Sequence, residues 1–401
     1  MAPDLRIIAK KLVILPVEKA QKIYEKVRES IKKAVQAPEQ PSLVNDDLTR
    51  KIWPELKDVA LELICAKKLG RSILLRFHGD ADGICGAFAI TNIVSCKAYQ
   101  QNSAIYGIRD ALRDIGTVGQ ENRPLVMLLD FGSSDACLEA LELLRAAGIQ
   151  HIIVDHHPPG LKMEKIAAVN PFKFAPNASK YTAGYLACEA AIACGMDKDE
   201  ALALAKTACA GDKSSILEVG PVEKERALVL DFLAAHISFG NNLEFYKKVM
   251  SNAELFRSIA QQARESIEEA AQKATRGMKK TTVGGKLEIA TFPLEKIAKV
   301  GEWPPSSKIT THIYEKISNE QPEKPVLCIG YTDRSLIIRL NDSAAELGLS
   351  ANELAERLKK TMPDFVEGGG GHVRAGAIRV RTGFAKEVLA ELVRTISTIS
   401  D

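Results

Sequence analysis

Seven side chains in this sequence combine the types and spacings that metal-assisted chemistry uses. His78, Asp80 and Asp82 alternate with other residues just before Gly83, Asp130 precedes Phe131 and Gly132, and Asp155, His156 and His157 are consecutive. A mixed carboxylate and imidazole set suits manganese or magnesium better than a thiolate zinc site. Each cluster alone is ambiguous. Asp-x-Asp-Gly is common turn chemistry, and Asp155-His156-His157 before Pro158-Pro159-Gly160 also reads as a solvated turn. What decides between these readings is the elements that carry the clusters.

Each cluster follows a short apolar run, at residues 72–77, 125–129 and 151–154. Runs of this length, bounded by turn signals, read as buried strands. Helical patterns separate them, one from Ile84 and one over residues 134–147 with Gly148 as its stop. Strand, helix and strand at this spacing mean right-handed βαβ units and an α/β fold with a parallel sheet. Ligands collect beyond the carboxyl ends of such strands, so the three clusters converge in one cleft. Four or more carboxylates there would repel one another in a partly desolvated site. Divalent cations remove that cost. Two of them, about 3.5–4 Å apart, activate a water and steady the leaving oxygen of a phosphoester.

Apolar helices follow at 181–194, 199–210 and 222–237, the second ending at Gly211-Asp212-Lys213. Residues 254–275 form a long helix rich in Ala, Glu, Gln and Arg, read as a connector between two lobes. Beyond Gly277, strands at 286–292, 326–331, 335–340 and 374–380 describe a smaller α+β domain. The capping box Ser350-x-x-Glu353 opens a helix within it, and residues 384–399 form the last one. Ahead of the sheet, residues 17–36 and 46–69 are helical. The expected division is a helical extension (1–69), a catalytic domain (70–252), a linker helix (253–280) and a substrate-binding domain (281–401).

The composition is that of an ordinary globular protein, with 26% charged residues and a net charge of +3. That sum does not by itself imply nucleic acid, although it can hide a local basic groove. The eight cysteines include no Cys-x-x-Cys pair, so they read as small core residues in a reducing cytosol. No uninterrupted signal-like segment opens the chain and no run of about 18 apolar residues occurs. The expectation is a cytoplasmic protein without membrane contact.

His78-x-Asp80-x-Asp82-Gly83, Asp130-x-Gly132 and Asp155-His156-His157 resemble, in order, the signature motifs of DHH phosphoesterases. Gly368-Gly369-Gly370-Gly371-His372-x-x-Ala375-Gly376 resembles the glycine-rich signature of their DHHA1 domain. The resemblance spans roughly residues 70 to 395. It is strongest to archaeal RecJ-like single-strand exonucleases, including those associated with replication GINS or the repair helicase Hef. Bacterial RecJ proteins carry a further OB-type domain that has no counterpart in this pattern.

The resemblance implies two divalent metal ions, Mn2+ first and Mg2+ second. His78 and Asp80 would hold one, Asp82 and His156 the other, and Asp130 would bridge them. Asp212 would be a further ligand, Asp155 would orient a neighbouring histidine, and His157 would contact the scissile phosphate. Gly369, Gly370, Gly371 and His372 would bind substrate. Four successive glycines give up backbone entropy for close approach and positive φ, and exposed amides there can bind phosphate. Arg339 matches the family's substrate-binding arginine, with Arg334 as second candidate; either also reads as a surface charge. The implied function is a single-strand-specific exonuclease on DNA or RNA, with the first domain cutting and the second holding the strand end. The alternatives are a phosphoesterase on short oligonucleotides, cyclic dinucleotides or small nucleotides, and an inactive replication scaffold, which the intact ligand set disfavours.

Overall fold

Parallel pairing of five short strands organises the first part of the chain. The computed structural model describes residues 17–34, 38–162, 168–176, 178–237, 243–299, 301–371 and 373–400. Helices α1 (Val17–Ala34) and α2 (Asp47–Leu69) come first. Asp46 starts α2 by accepting the Thr49 amide at 2.8 Å, and Gly70 ends it at φ 61°. Then follow β1 (Ile73–His78), α3 (Ala81–Ile93), β2 (Lys97–Gln101), α4 (Ile108–Val118) and β3 (Leu125–Leu129). A 3-10 turn at Asp135–Cys137 leads into α5 (Leu138–Ala146), β4 (Gln150–Val154) and β5 (Ala168–Val169). Helices α6 (Ala183–Ala193), α7 (Lys198–Gly211), α8 (Pro221–His236) and α9 (Leu243–Ser251) complete this part.

The strand order β2-β1-β3-β4-β5 reverses direction between β1 and β3. An open α/β sheet forms its ligand crevice at that switch point. Helix α3 covers one face and is buried almost all round, because it lies against α6, α7 and α8 as well as the sheet. On the other face Leu74, Val126, Leu128 and Ile153 pack with Ala111, Ala140, Leu141 and Leu144 of α4 and α5.

The chain divides into two compact units after Phe256. The helices before the sheet belong to the first unit rather than forming a separate body. Fully buried Glu189 of α6 accepts the backbone amides of Ser42, Leu43 and Val44. Glu62 of α2 pairs with Arg28 of α1 and with Arg71.

The second unit contains most of α10 (Ala253–Thr275), then β6 (Lys279–Val283), β7 (Leu287–Pro293), α11 (Ser306–Glu320), β8 (Val326–Tyr331) and β9 (Ser335–Leu340). Short α12 (Asp342–Glu346), α13 (Ala351–Thr361), β10 (Val366–Gly371), β11 (Ala375–Val380) and α14 (Ala385–Ser400) end it. Its six-stranded sheet runs β10-β11-β9-β8-β7-β6, antiparallel except for β7 with β8. Helix α10 is no free connector. Its Ala270, Ala271 and Ala274 are buried in one core with Phe292, Ile309 and Ile313. Alanines at this spacing let a helix approach a sheet closely, and the same residues look like a spacer in sequence.

Candidate metal centre

The carboxyl ends of β1, β3 and β4 bring the sequence clusters together. His78 is the last residue of β1, and Asp80 caps α3 by accepting the Gly83 amide at 3.0 Å. Asp82 lies in the first turn of α3, fully buried. Asp130, one residue past β3, has φ 67°, a left-handed conformation uncommon for non-glycine residues and more accessible to aspartate than to most. Its Oδ2 lies 3.5 Å from His78 Nδ1 and its Oδ1 lies 3.3 Å from His156 Nε2. His78 Nδ1 is also 2.5 Å from Asp80 Oδ2. His156 Nε2 is 3.0 Å from Asp212 Oδ2 and 3.7 Å from Asp82 Oδ2.

Three groups of candidate ligand atoms result, each within 4.8 Å: His78, Asp80 and Asp130; Asp82, His156 and Asp212; and Asp130, His156 and His157. Asp130 is common to the first and third, and its two oxygens face opposite ways. Asp130 Oδ1 and His156 Nε2 are buried without a hydrogen-bond partner among the described residues. An unsatisfied buried pair of this kind is costly, and a cation between them would satisfy both. The residues therefore fit two oxygen- and nitrogen-liganded divalent ions.

The electrostatics point the same way. Burial, then the charges of Asp130 and Asp212, push the Asp82 carboxyl well above the usual carboxylate range. Burial and the Asp80 charge also raise Asp130, against the pull of His156 and His78. Burial opposes charge on His78, yet Asp80 and Asp130 raise it well above an ordinary histidine. His156 is raised likewise by Asp130 and Asp212 against its burial. Protons on the imidazoles stand in for the positive charge that such a carboxylate cluster requires.

Asp155 works through other residues. It is buried, and its Oδ1 accepts the His156 amide (2.8 Å), the His157 amide (3.1 Å) and the His157 ring at Nδ1 (2.8 Å). Its Oδ2 accepts the Ser133 amide at 2.9 Å, tying the histidine pair to the turn after β3. Burial opposes ionisation of Asp155, but the His157 hydrogen bond and charge hold its carboxyl well below the usual range. His157 is 47% exposed, against 7% for His156, so of the two rings it is the one open to solvent.

Several supports carry no sequence signature. The Ala183 and Gly184 amides at the start of α6 donate to Asp82 Oδ2 (2.9 Å) and Oδ1 (3.0 Å). A Cβ on Gly184 would lie 2.8 Å from Asp82 Oδ1. The Ser179 carbonyl accepts from His156 Nδ1 at 2.8 Å, which leaves Nε2 to face the carboxylates. Asp231 of α8 accepts the Ala81 amide at 2.8 Å. The helix-capping threonine Thr182 marks the start of α6 in sequence, but nothing there says that Asp82 faces it.

The remaining expected residues belong to the second unit. Arg339 of β9 donates through Nε to Thr311 Oγ1 (3.0 Å) and through Nη1 to the Ile338 carbonyl (2.8 Å), while Arg334 is exposed beside Asp333. The glycine run corrects an expectation. Gly368 to Gly371 form an end strand paired with β11, and among them positive φ occurs at Gly371 alone, at 146°. Close approach does operate: a Cβ on Gly369 would lie 3.0 Å from the Ala377 carbonyl and 3.2 Å from Ala355 Cβ of α13. His372 lies outside the described residues.

Residues 72–211 match the model of the DHH family's N-terminal domain. The chain is 25% identical to the uncharacterized protein MJ1198 of Methanocaldococcus jannaschii, over 97% of this chain and 60% of that protein, so it spans under two thirds of that relative's length. Among solved structures it resembles the DHH domain of a protein described as a member of a family of ribosomal proteins. There the identity is 23% and the TM-score 0.80, over 96% of this chain and 100% of that one. It also resembles RecJ of Thermus thermophilus in complex with Mn2+, at 15% identity and TM-score 0.56, over 90% of this chain and 56% of that one. The segment that carries the clustered motifs in order, residues 72–211, thus matches the N-terminal domain of the DHH family, on a fold shared with both of these solved structures.

Proposed function

We propose that this protein is a metal-dependent phosphodiesterase that removes nucleotides from the ends of single-stranded DNA or RNA. The observation that carries the reading is the pair of ligand groups, His78–Asp80–Asp130 and Asp82–His156–Asp212, with Asp130 reaching His156 by its other oxygen. Two divalent ions held there would activate a water and neutralise the leaving oxygen of a phosphoester. Manganese is proposed first and magnesium second, a choice supported by the mixed donor set and by the manganese in the RecJ neighbour.

The chain's own residues have separable tasks. His78, Asp80, Asp82, Asp130, His156 and Asp212 bind the cations. Asp155 fixes the His157 ring through Nδ1, leaving Nε2 to donate to a phosphate oxygen. Arg339 and the Gly369–Gly371 segment of the second unit would hold the strand, with backbone amides on its phosphates. The proposal extends to a role in replication or repair and to a partner such as GINS or Hef, both from the family resemblance. Among the described residues no helix is long and apolar enough to cross a membrane.

The test is a manganese-supplemented digestion of single strands about 30 and about 5 nucleotides long, compared with duplex of the same sequence. Stepwise release of mononucleotides from the long single strand supports the proposal. Digestion confined to the short strand would favour the short-oligonucleotide reading.

A further inference from the structure

One short turn holds Asp82 and His156 directly and reaches the segment that carries Asp212. Ser179 fixes the His156 tautomer through its carbonyl. Ala183 and Gly184 hold both oxygens of Asp82. Between them, the Lys180 carbonyl accepts the hydroxyl of Ser214, two residues beyond Asp212. Residues 178–184 thus hold two of the three ligands, and through Ser214 they are tied to the chain next to the third.

That turn is itself held by residues ahead of the matched DHH segment. Buried Tyr181 donates its hydroxyl to Asp46 Oδ2 at 2.5 Å. The other oxygen of Asp46 accepts the Thr49 amide and hydroxyl, both at 2.8 Å, so the carboxylate is anchored to the start of α2. Further along, Thr49 Oγ1 lies 3.4 Å from the Tyr185 hydroxyl. Tyr185 also bonds Glu189, the carboxylate that holds the Ser42, Leu43 and Val44 amides. Residues 42–49 thus form a strap along Tyr181–Glu189, fastened by a carboxylate at each end.

We infer that this strap positions the second ligand group, with the Asp46–Tyr181 hydrogen bond as its latch. Tyr181 and Asp46 are positioning residues: they touch no candidate ligand atom and act through Ser179, Ala183 and Gly184. The inference rests on the two-metal reading proposed above. Partners behind a metal ligand typically tune affinity about 10- to 100-fold, because they fix the orientation of the donor atom. The hydrophobic and backbone contacts of the strap would persist without the latch, so metal affinity should respond more than folding does.

The test is calorimetric titration of manganese into the full chain, its Tyr181→Phe variant and its Asp46→Ser variant, with Tm measured alongside. Tyr181→Phe keeps the ring and removes the hydroxyl; Asp46→Ser keeps a helix cap but is too short to reach Tyr181. One of two manganese sites should weaken by about tenfold in each variant while the other stays unchanged. The double variant should be no weaker than either single one, since both remove the same bond. A lowered Tm with both affinities within about twofold of the parent would make the strap purely structural and overturn the inference. Equal weakening of both sites, or additive effects, would also overturn it. Wild-type protein that binds no manganese would overturn the two-metal reading itself, a result distinct from a failed latch.

Discussion

Asp130 Oδ1 and His156 Nε2 face each other across 3.3 Å, both buried and neither satisfied by a hydrogen bond among the described residues. Asp130 reaches this position through a left-handed backbone at φ 67°. Strain and an unsatisfied polar pair at one point are what a protein retains when a ligand offsets both.

Asp130→Asn removes a charge shared between two ligand groups. Activity should fall by about three orders of magnitude or more, measured as single-strand hydrolysis at saturating manganese. The metal-free protein should keep its Tm, because Asn matches Asp in size and also tolerates the left-handed backbone at this position. Activity above about a tenth of the parent value would contradict the shared position.

His157→Ala should lower turnover while two manganese ions still bind. His157 is the exposed member of the pair, and its Nδ1 is taken by Asp155. Calorimetry that shows one manganese lost would move His157 into the ligand set with Asp130 and His156, a grouping the distances also permit.

Gly184→Ala tests the start of α6. The added Cβ would lie 2.7 Å from the Asp82 carbonyl and from Ala208 Cβ, both on packed helices that cannot yield cheaply. Manganese affinity should drop and Tm should fall by the equivalent of about 1–3 kcal/mol. Unchanged manganese binding would show that the α6 amides do not set the position of Asp82.

The strand-end clusters were legible because strands buried on both faces leave continuous apolar runs, and Asp130 and Asp155 follow those runs directly. The strand β2, Lys97-Ala-Tyr-Gln-Gln101, was not legible: it lies at a sheet end and has little apolar character. Nor was β10, since glycine carries no strand preference and its conformation comes from pairing with β11 and the closeness of α13. Ser179, Ala183 and Gly184 escaped for a different reason. They act through backbone atoms, which every residue type offers, so their role appears only once the fold brings them to His156 and Asp82.

The glycine strand itself separates two alanine variants. Gly371→Ala should cost about 1–3 kcal/mol, because φ is 146° and the new Cβ would lie 2.2 Å from the Ala375 carbonyl. Gly370→Ala should cost little, since its Cβ would meet only Asn352 Oδ1, at 3.7 Å. Denaturation of the two variants side by side measures the difference; equal stabilities would contradict the strand geometry.

His151 on β4 provides a pH dependence away from the metal centre. Burial, with a smaller push from Arg145, lowers it from 6.5 to about 4. Between those values the unfolded chain binds a proton that the folded chain does not, so stability rises with pH across this window. The loss on acidification reaches about 3 kcal/mol once the pH is well below 4. The Tm of His151→Leu relative to the parent should therefore climb as pH falls from about 6.5 to 4. A difference that stays flat over that range would contradict a buried neutral imidazole.

The most direct test of the account is manganese-dependent cleavage of a single strand of about 30 nucleotides, labelled at either end, by the parent protein and by Asp82→Asn. The account predicts mononucleotide release that starts from one end, stops with chelator, and is lost in the variant. Cleavage that survives both chelation and the loss of Asp82 would contradict the metal centre, and an intact strand under saturating manganese would contradict the proposed substrate.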